Sequence, residues 1–183
     1  SSLSRLLEGR GKPDRSQGLA HSFDRHGRLI ARLDIKGPNV VKGVHLEGLR
    51  VVGKPAELAR RYYEGGIDEI VYMDIVASLY GRNNILSVVE EAARDIFVPM
   101  TVGGGLRSLP VMEDLFAAGV ARAVIGSAAV EQPEIAEEAL RRFGPEAVCL
   151  AIDVKLDAGG VPRARTRGWV HESSLSLWEL VDR

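Results

Sequence analysis

Hydrophobic positions follow two alternating patterns from residue 28 onward. Apolar, β-branched runs predict five strands at residues 28–34, 68–75, 97–102, 122–128 and 147–154. Segments with apolar residues at helical spacing predict helices at 55–66, 85–96, 109–119, 133–144 and 174–183. Several of these segments end in glycine, which is favoured just after a helix C-terminus. The chain is therefore predicted to alternate strands with helices.

The first 27 residues lack this periodicity. They mix Ser, Gly, Arg and Asp without helical or strand spacing, a composition typical of a tail or linker. We therefore predict a flexible segment over residues 1–27 and one folded domain over residues 28–183.

The predicted strands are apolar nearly throughout, which favours a parallel sheet covered on its faces. Their ends recur about every 24 to 40 residues, near the roughly 30 expected for one βα unit of an eightfold barrel. Each strand also ends in polar or glycine-rich residues, and in a barrel these ends share one rim where active sites lie. The predicted fold class is α/β of the (β/α)8 TIM-barrel type, with a doubly wound open sheet as the alternative.

The length predicts an incomplete barrel. A full barrel needs about 200 residues or more and eight strands, whereas these 183 residues carry patterns for about five. A partial barrel leaves sheet edges and apolar faces open to pairing with another chain. We therefore expect a fragment, a truncated product or a partial barrel completed by another chain, without measurable catalysis on its own.

Composition narrows the ligand class. Lys and Arg total 24 against 25 Asp and Glu, so no global positive field favours nucleic acid or an anionic membrane surface. No apolar run approaches the roughly 18 residues of a membrane span. The single cysteine, Cys149, excludes a disulfide framework and agrees with a reducing cytoplasm. No histidine spacing indicates a metal site and no cofactor is expected, so a small-molecule ligand fits best.

Two glycine-containing segments follow consecutive predicted strands. Gly103, Gly104 and Gly105 come after the third strand, and Gly126 with Ser127 comes after the fourth. Glycine lets backbone N–H groups approach an anion, and a helix N-terminus adds unpaired donors. Together they predict a phosphate site, and the alternative is that the glycines only make tight turns.

Two aspartates are candidates for acid and base chemistry. Asp34 is predicted to end the first strand and Asp153 the fifth, and these strands face each other across an eight-stranded barrel. Carboxylates on opposite sides of a ligand suit general acid and base catalysis. Alternatively, each aspartate caps a loop or pairs with Lys36 or Lys155.

Two further charged residues lie near the predicted rim. Lys42, in a glycine-bounded loop, is a candidate contact for an anionic substrate, although an exposed lysine is usually just solvated. Asp74 ends the second predicted strand. For this residue a structural role is favoured over a catalytic one, since a third carboxylate can simply order the residues around it.

Several motifs together resemble a known family. RLIARLDIKGPNVVKG, GIDEIVYMDIVAS, IFVPMTVGGGLRS and AIDVK, in this order and spacing, resemble the cyclase subunit of imidazole glycerol phosphate synthase, a (β/α)8 barrel of histidine biosynthesis. The resemblance implies closure of an imidazole ring with ammonia from a partner glutaminase, as a heterodimer. The products are imidazole glycerol phosphate and aminoimidazole carboxamide ribotide.

The resemblance also implies residue roles. Asp34 and Asp153 match the catalytic aspartates, and Lys42 matches a lysine on a mobile loop. One of two phosphate sites is matched by Gly105, Gly126 and Ser127. Three of four charged residues that gate the ammonia passage are matched by Arg28, Glu69 and Arg122.

Some residues depart from the family pattern and leave alternatives open. Ala121 replaces an aspartate that contacts the glutaminase, and Gly126 replaces a common asparagine. IVYMDIVASLYGRNNIL more closely resembles paralogous proteins of surface-polysaccharide synthesis, which use ammonia to make an amidino sugar. A non-catalytic half-barrel that binds a phosphate or another chain is the third hypothesis.

Overall fold

The computed structural model describes residues 27–44, 48–77, 85–167 and 170–182. Its strands are β1 Ile30–Lys36, β2 Asn39–Val44, β3 Gly48–Gly53, β4 Glu69–Asp74, β5 Met100–Gly103, β6 Arg122–Ile125, β7 Val148–Leu150, β8 Asp153–Leu156, β9 Pro162–Thr166 and β10 His171–Ser176. Its helices are α1 Pro55–Glu64, α2 Ile85–Ala93, α3 Leu109–Ala117, α4 Ser127–Glu131, α5 Pro133–Phe143 and α6 Leu177–Val181. The segment predicted as a tail lies outside the described residues, apart from Gly27. Within these ranges, no helix is long and apolar enough to cross a membrane.

One sheet of seven strands organises most of the chain, in the order β3-β2-β1-β4-β5-β6-β7. From β1 to β7 by way of β4, β5 and β6, every neighbouring pair is parallel. Helices connect these parallel strands, as the hydrophobic pattern predicts. The expected fold class, an incomplete barrel of the (β/α)8 type, is confirmed.

The core lies between this sheet and its helices. Alternate residues of the parallel strands, such as Leu33, Ile70 and Val102, are buried in one cluster with Val89 of α2 and Leu115 of α3. Because neighbouring side chains on a strand point to opposite faces, the residues between them form the other, inner face of the sheet. On this inner face, residues that lie opposite one another on neighbouring strands form rows across the sheet.

Two inner-face rows carry most of the candidate chemistry. One row contains Arg32, Val71, Thr101 and Arg122, and the next row toward the carboxyl ends contains Asp34, Met73, Gly103, Val124 and Cys149. The parallel register therefore places Asp34 in the same row as the first glycine of the Gly103–Gly105 segment.

The loop predicted around Lys42 is instead an antiparallel hairpin. Strand β2 pairs with β1 and with β3, and Gly37, with φ of 58°, makes the turn from β1 to β2. Val40 and Val41 are buried, whereas β3 is exposed from Gly48 to Val52. Neither β2 nor β3 has a long apolar run, so the hydrophobic pattern did not predict these two strands.

The fifth predicted strand, residues 147–154, is wrong in its second half. Strand β7 ends at Leu150, where the last parallel bond joins the Ala151 amide to the Ile125 carbonyl at 3.0 Å. Beyond Ile125 the neighbouring chain turns into α4, so no parallel partner remains for later residues. The chain instead enters an antiparallel sheet, β10-β9-β8, which begins at Asp153.

The last predicted helix, 174–183, is also shorter than expected. Residues up to Ser176 pair with β9, and α6 begins with a reciprocal cap in which the Ser176 hydroxyl accepts from the Glu179 amide at 3.3 Å. Sheet pairing therefore overrides helical spacing over the first turn.

Candidate active site at the carboxyl ends of the strands

Asp34 lies on the inner face of β1, two residues before the strand ends. Its Oδ1 accepts a hydrogen bond of 2.8 Å from Nε of Arg32, the preceding residue on the same face. The Asp34 side chain is 38% exposed, so it stays open to a ligand. Sequence reasoning weighed lysine partners and missed Arg32, although alternate strand positions share a face and the i, i+2 spacing carried that signal.

Asp153 is the first residue of β8 rather than the last of a parallel strand, which corrects the sequence prediction. It lies three residues beyond Leu150, the carboxyl end of β7, and is exposed. It stands opposite Arg165 of β9, and Arg165 stands opposite Glu172 of β10 and forms an ion pair with it. Asp34 thus lies near the carboxyl end of β1 and Asp153 follows the carboxyl end of β7, and within the described ranges no hydrogen bond or ion pair joins the two carboxylates.

The Gly103–Gly105 segment has steric reasons for two of its glycines. A Cβ on Gly103 would lie 2.8 Å from the Val124 Cβ, and a Cβ on Gly104 would lie 2.1 Å from the Asp74 carbonyl oxygen. Gly104 and Gly105 also have φ of 103° and 66°, which favour glycine. Close packing therefore explains Gly103 and Gly104 without a ligand, and for Gly105 its φ alone favours glycine.

Gly126 and Ser127 form the neighbouring segment, because β5 pairs directly with β6. Gly126 precedes α4, and the Ser127 hydroxyl accepts a 2.9 Å hydrogen bond from the backbone amide of Arg167. The structure therefore brings the two glycine segments together, as expected, and adds the end of β9 to them.

Glu131, at the end of α4, was not predicted from the sequence. Its carboxylate accepts from Arg167 Nε at 2.9 Å and from Arg107 Nη1 at 3.1 Å. These bonds, with that from Arg167 contributing most, lower the pKa of Glu131 to about 2. The ionised carboxylate pairs with two guanidinium groups beside both glycine segments.

Asp74 is committed to local structure. Its Oδ1 accepts from the amides of Val76 and Ala77 at 2.9 and 2.8 Å, and the residue is buried. The geometry agrees with the structural interpretation, in which the carboxylate orders the chain after β4.

Lys42 lies on β2, opposite Arg50 of β3, and is exposed. The hairpin places it beside β1 rather than in a free loop. Two cations at adjacent positions of one hairpin give this strand pair a positive charge.

Arg28, Glu69 and Arg122 are brought together at the opposite end of the strands. Glu69 is buried, and its carboxylate is 2.9 Å from Arg122 Nη1 and 3.7 Å from Arg28 Nη1. The Thr101 hydroxyl donates a further bond of 2.6 Å to it. Thr101 was missed, although its place beside Arg122 follows from the β5–β6 register.

These observations define a class of protein. It is an α/β chain of the partial-barrel type with an aspartate on the first parallel strand, two adjacent glycine segments at the carboxyl ends and a buried charge cluster at the amino ends. A family model described as histidine biosynthesis protein matches residues 28–183. The chain belongs to this family.

Relatives with curated names agree with that membership. The chain is 53% identical over 133 residues to the imidazole glycerol phosphate synthase subunit HisF of Legionella pneumophila, covering 73% of this chain and 63% of the relative. It is 45% identical over 130 residues to the HisF subunit of Petrotoga mobilis, covering 71% and 52%. The HisF subunit of Helicobacter hepaticus is 46% identical over 128 residues, covering 70% and 51%. The chain thus spans about half to two thirds of the length of these relatives.

Proposed function

We propose that the chain carries the amino-terminal part of a cyclase that uses ammonia to close an imidazole ring on a phosphorylated nucleotide in histidine biosynthesis. The observation that carries the proposal is the joint placement of Asp34 and the two glycine segments at the carboxyl ends of parallel strands. In barrels this end is where active sites lie. The names of the relatives supply the reaction class.

Asp34 and Asp153 are proposed as the acid and base. Closing the ring requires a proton to leave the attacking nitrogen and another to reach the departing oxygen, so two carboxyl groups on opposite sides of the substrate serve both steps. Asp34 accepts a hydrogen bond from Arg32, which favours one orientation of its carboxylate. Asp153 is exposed and accessible to a ligand.

The glycine segments are proposed to bind one substrate phosphate. Gly105, Gly126 and Ser127 are the main contributors, and Gly103 and Gly104 shape the backbone that carries them. Ser127 offers a hydroxyl that already accepts one hydrogen bond and has its own proton to donate. Lys42, on the neighbouring hairpin, is proposed as a cationic contact for the same substrate.

Ammonia is proposed to enter from the amino ends of the strands, supplied by a glutaminase subunit in a cytoplasmic heterodimer. Arg28, Glu69 and Arg122 surround that end, and the buried Glu69 carboxylate holds both arginines. The position of this cluster at the amino ends of the strands supports a gating role for it.

The test measures binding and turnover on the same samples. The bisphosphorylated aminoimidazole carboxamide nucleotide is titrated into the chain, and its two products are then quantified with ammonium salt present. We expect the unmodified chain and Asp34→Asn to bind the nucleotide. We expect Asp34→Asn and Asp153→Asn to lose any turnover that the unmodified chain supports. Asp95→Asn, a surface aspartate paired with Arg60, is the matched control. Failure to bind the nucleotide, or undiminished turnover in Asp34→Asn, contradicts the proposal.

The surface-polysaccharide alternative keeps a separate test. Part of the segment that motivated it, residues 78–84, lies outside the described residues. A nucleotide-linked sugar that binds in place of the histidine-pathway nucleotide favours that alternative, and phosphate binding without any turnover in a chain completed by the remaining barrel strands favours the non-catalytic half-barrel.

A further inference from the structure

Two segments distant in sequence converge on the carboxylate of Glu131. Arg107 follows the Gly103–Gly105 segment, and Arg167 follows β9 in the antiparallel sheet. The Thr166 side chain also hydrogen-bonds to Glu131. The Glu131 side chain is only 21% exposed, so its contacts join the antiparallel sheet to the parallel one in a partly desolvated place.

Arg167 has an unusual backbone conformation. Its φ is 52°, and within the described ranges no other non-glycine residue has a positive φ. Such a conformation costs free energy and persists where surrounding contacts hold it. Here the amide donates to the Ser127 hydroxyl while the guanidinium bonds to Glu131, so both ends of the residue are held by α4.

The packing of β9 agrees with this attachment. Ala164 and Thr166 are buried, whereas Arg163 and Arg165, at the alternate positions, are only partly buried. One face of β9 therefore packs against α4. Glu131 is the charged group at that contact.

We propose that Glu131 is a positioning residue that holds the end of β9 on the Gly126–Ser127 segment and thereby keeps that segment in the shape that binds phosphate. The link to phosphate rests on the proposed function. The attachment of β9 by Glu131 does not depend on it.

Charge alone predicts the opposite effect on phosphate binding. Removing the negative charge of Glu131 frees two arginines beside the proposed site, which by electrostatics strengthens the binding of an anion. Loss of the attachment lets Ser127 and Arg167 move, which weakens binding. The direction of change in affinity therefore separates positioning from simple charge.

The attachment is tested by amide hydrogen exchange of the 183-residue chain without ligand. In Glu131→Gln we expect the Arg167 amide and the β9 amides to exchange at least about fivefold faster, because local opening becomes easier. Arg167→Gln, which removes the other partner, is expected to act in the same direction. Glu134→Gln, an exposed glutamate in the first turn of α5, is the matched control and is expected to leave these rates unchanged.

The link to phosphate is tested by titrating inorganic phosphate and following the Gly126, Ser127 and Arg167 amides by NMR. In Glu131→Gln we expect the dissociation constant for phosphate to rise by about threefold or more. This corresponds to a loss of about 0.65 kcal/mol or more in the free energy of binding. Unchanged exchange at Arg167 in Glu131→Gln overturns the attachment, and equal or tighter phosphate binding overturns the positioning role. Absence of phosphate shifts in the unmodified chain overturns the phosphate site and its link to Glu131, while the exchange rates still decide the attachment.

Discussion

The seven-stranded sheet and the β8–β10 sheet are held in place by different forces. Every residue of β5 is buried, whereas every residue of β8 is exposed or only partly buried. The antiparallel sheet instead carries ion pairs, among them Arg163 with Asp157 and Arg165 with Glu172. Apolar burial fixes the parallel sheet, and the Arg167–Glu131 ion pair helps to attach the antiparallel sheet that contains Asp153.

This difference has a functional meaning. The well-buried parallel sheet carries Asp34 and the glycine segments, and the less buried sheet carries Asp153. The proposed site therefore has one side fixed by the core and another side that responds to charge and pH. The following changes test the division, from the largest expected effect to the smallest.

Truncating one aliphatic side chain in each sheet should have unequal effects. Ile70 is fully buried in β4, and Leu156 in β8 is 63% exposed. Ile70→Ala should lower the free energy of unfolding by about 3 to 4 kcal/mol because it leaves a cavity. Leu156→Ala should cost less than about 1 kcal/mol. Urea denaturation measures both, and equal losses would contradict the comparison.

The glycine segment at the end of β5 should tolerate no side chain at Gly104. Gly104→Ala places a Cβ against the Asp74 carbonyl at a position with φ of 103°, so we expect a loss of about 3 kcal/mol. Gly66→Ala is the control, since Gly66 has φ of 85° but nothing within 4 Å of a Cβ. It should cost only about 1 kcal/mol. Urea denaturation measures the free energy of unfolding of both variants. Similar losses in the two would show that backbone conformation, rather than close packing, requires glycine at position 104.

At the buried charge cluster, the free energy of unfolding should depend more on Glu69 than on its exposed partner Arg28. Glu69→Gln leaves Arg122 and Thr101 without their charged acceptor and should cost about 2 kcal/mol. Arg28 is 63% exposed and 3.7 Å from Glu69, so Arg28→Gln should cost less than about 0.5 kcal/mol. Thermal and urea unfolding measure the two variants, and a larger loss in Arg28→Gln would contradict the assigned order.

The attachment of the antiparallel sheet should weaken in acid. The pKa of Glu131 is lowered from 4.5 to about 2, so its contribution is fully present above the unfolded pKa and is lost as pH falls toward the folded one. Between about pH 6 and pH 3 the unmodified chain should lose of order 1 kcal/mol more stability than Glu131→Gln, a value reduced by solvent screening of the partly exposed arginines. Parallel pH dependences for the two chains would contradict the assignment.

The parallel sheet was predictable because its signal is local. Residues such as Ile70 and Val102 stand in short apolar runs separated by helical spacing, and burial of those runs needs no knowledge of distant partners. The order of the strands and the adjacency of the two glycine segments followed from the same alternation. The confirmed fold class depends on these features.

The antiparallel strands were not predictable in the same way. Strand β3 is exposed and β9 is rich in arginine, so neither has the apolar pattern of a strand, although both pair with strands next to them in the chain. Glu131 was missed for a different reason, since its two arginines are 24 and 36 residues away in sequence. Asp153 remains a candidate from its place at the end of an apolar run, and its element was predicted wrongly because that run continued past the last available partner strand.

A crystal structure of the chain with the bisphosphorylated nucleotide tests the central claim most directly. The account predicts one phosphate on the amides of Gly105, Gly126 and Ser127, with the imidazole-forming part of the ligand between the carboxylates of Asp34 and Asp153. A ligand bound elsewhere, or aspartates that face separate compartments with the nucleotide in place, would contradict it.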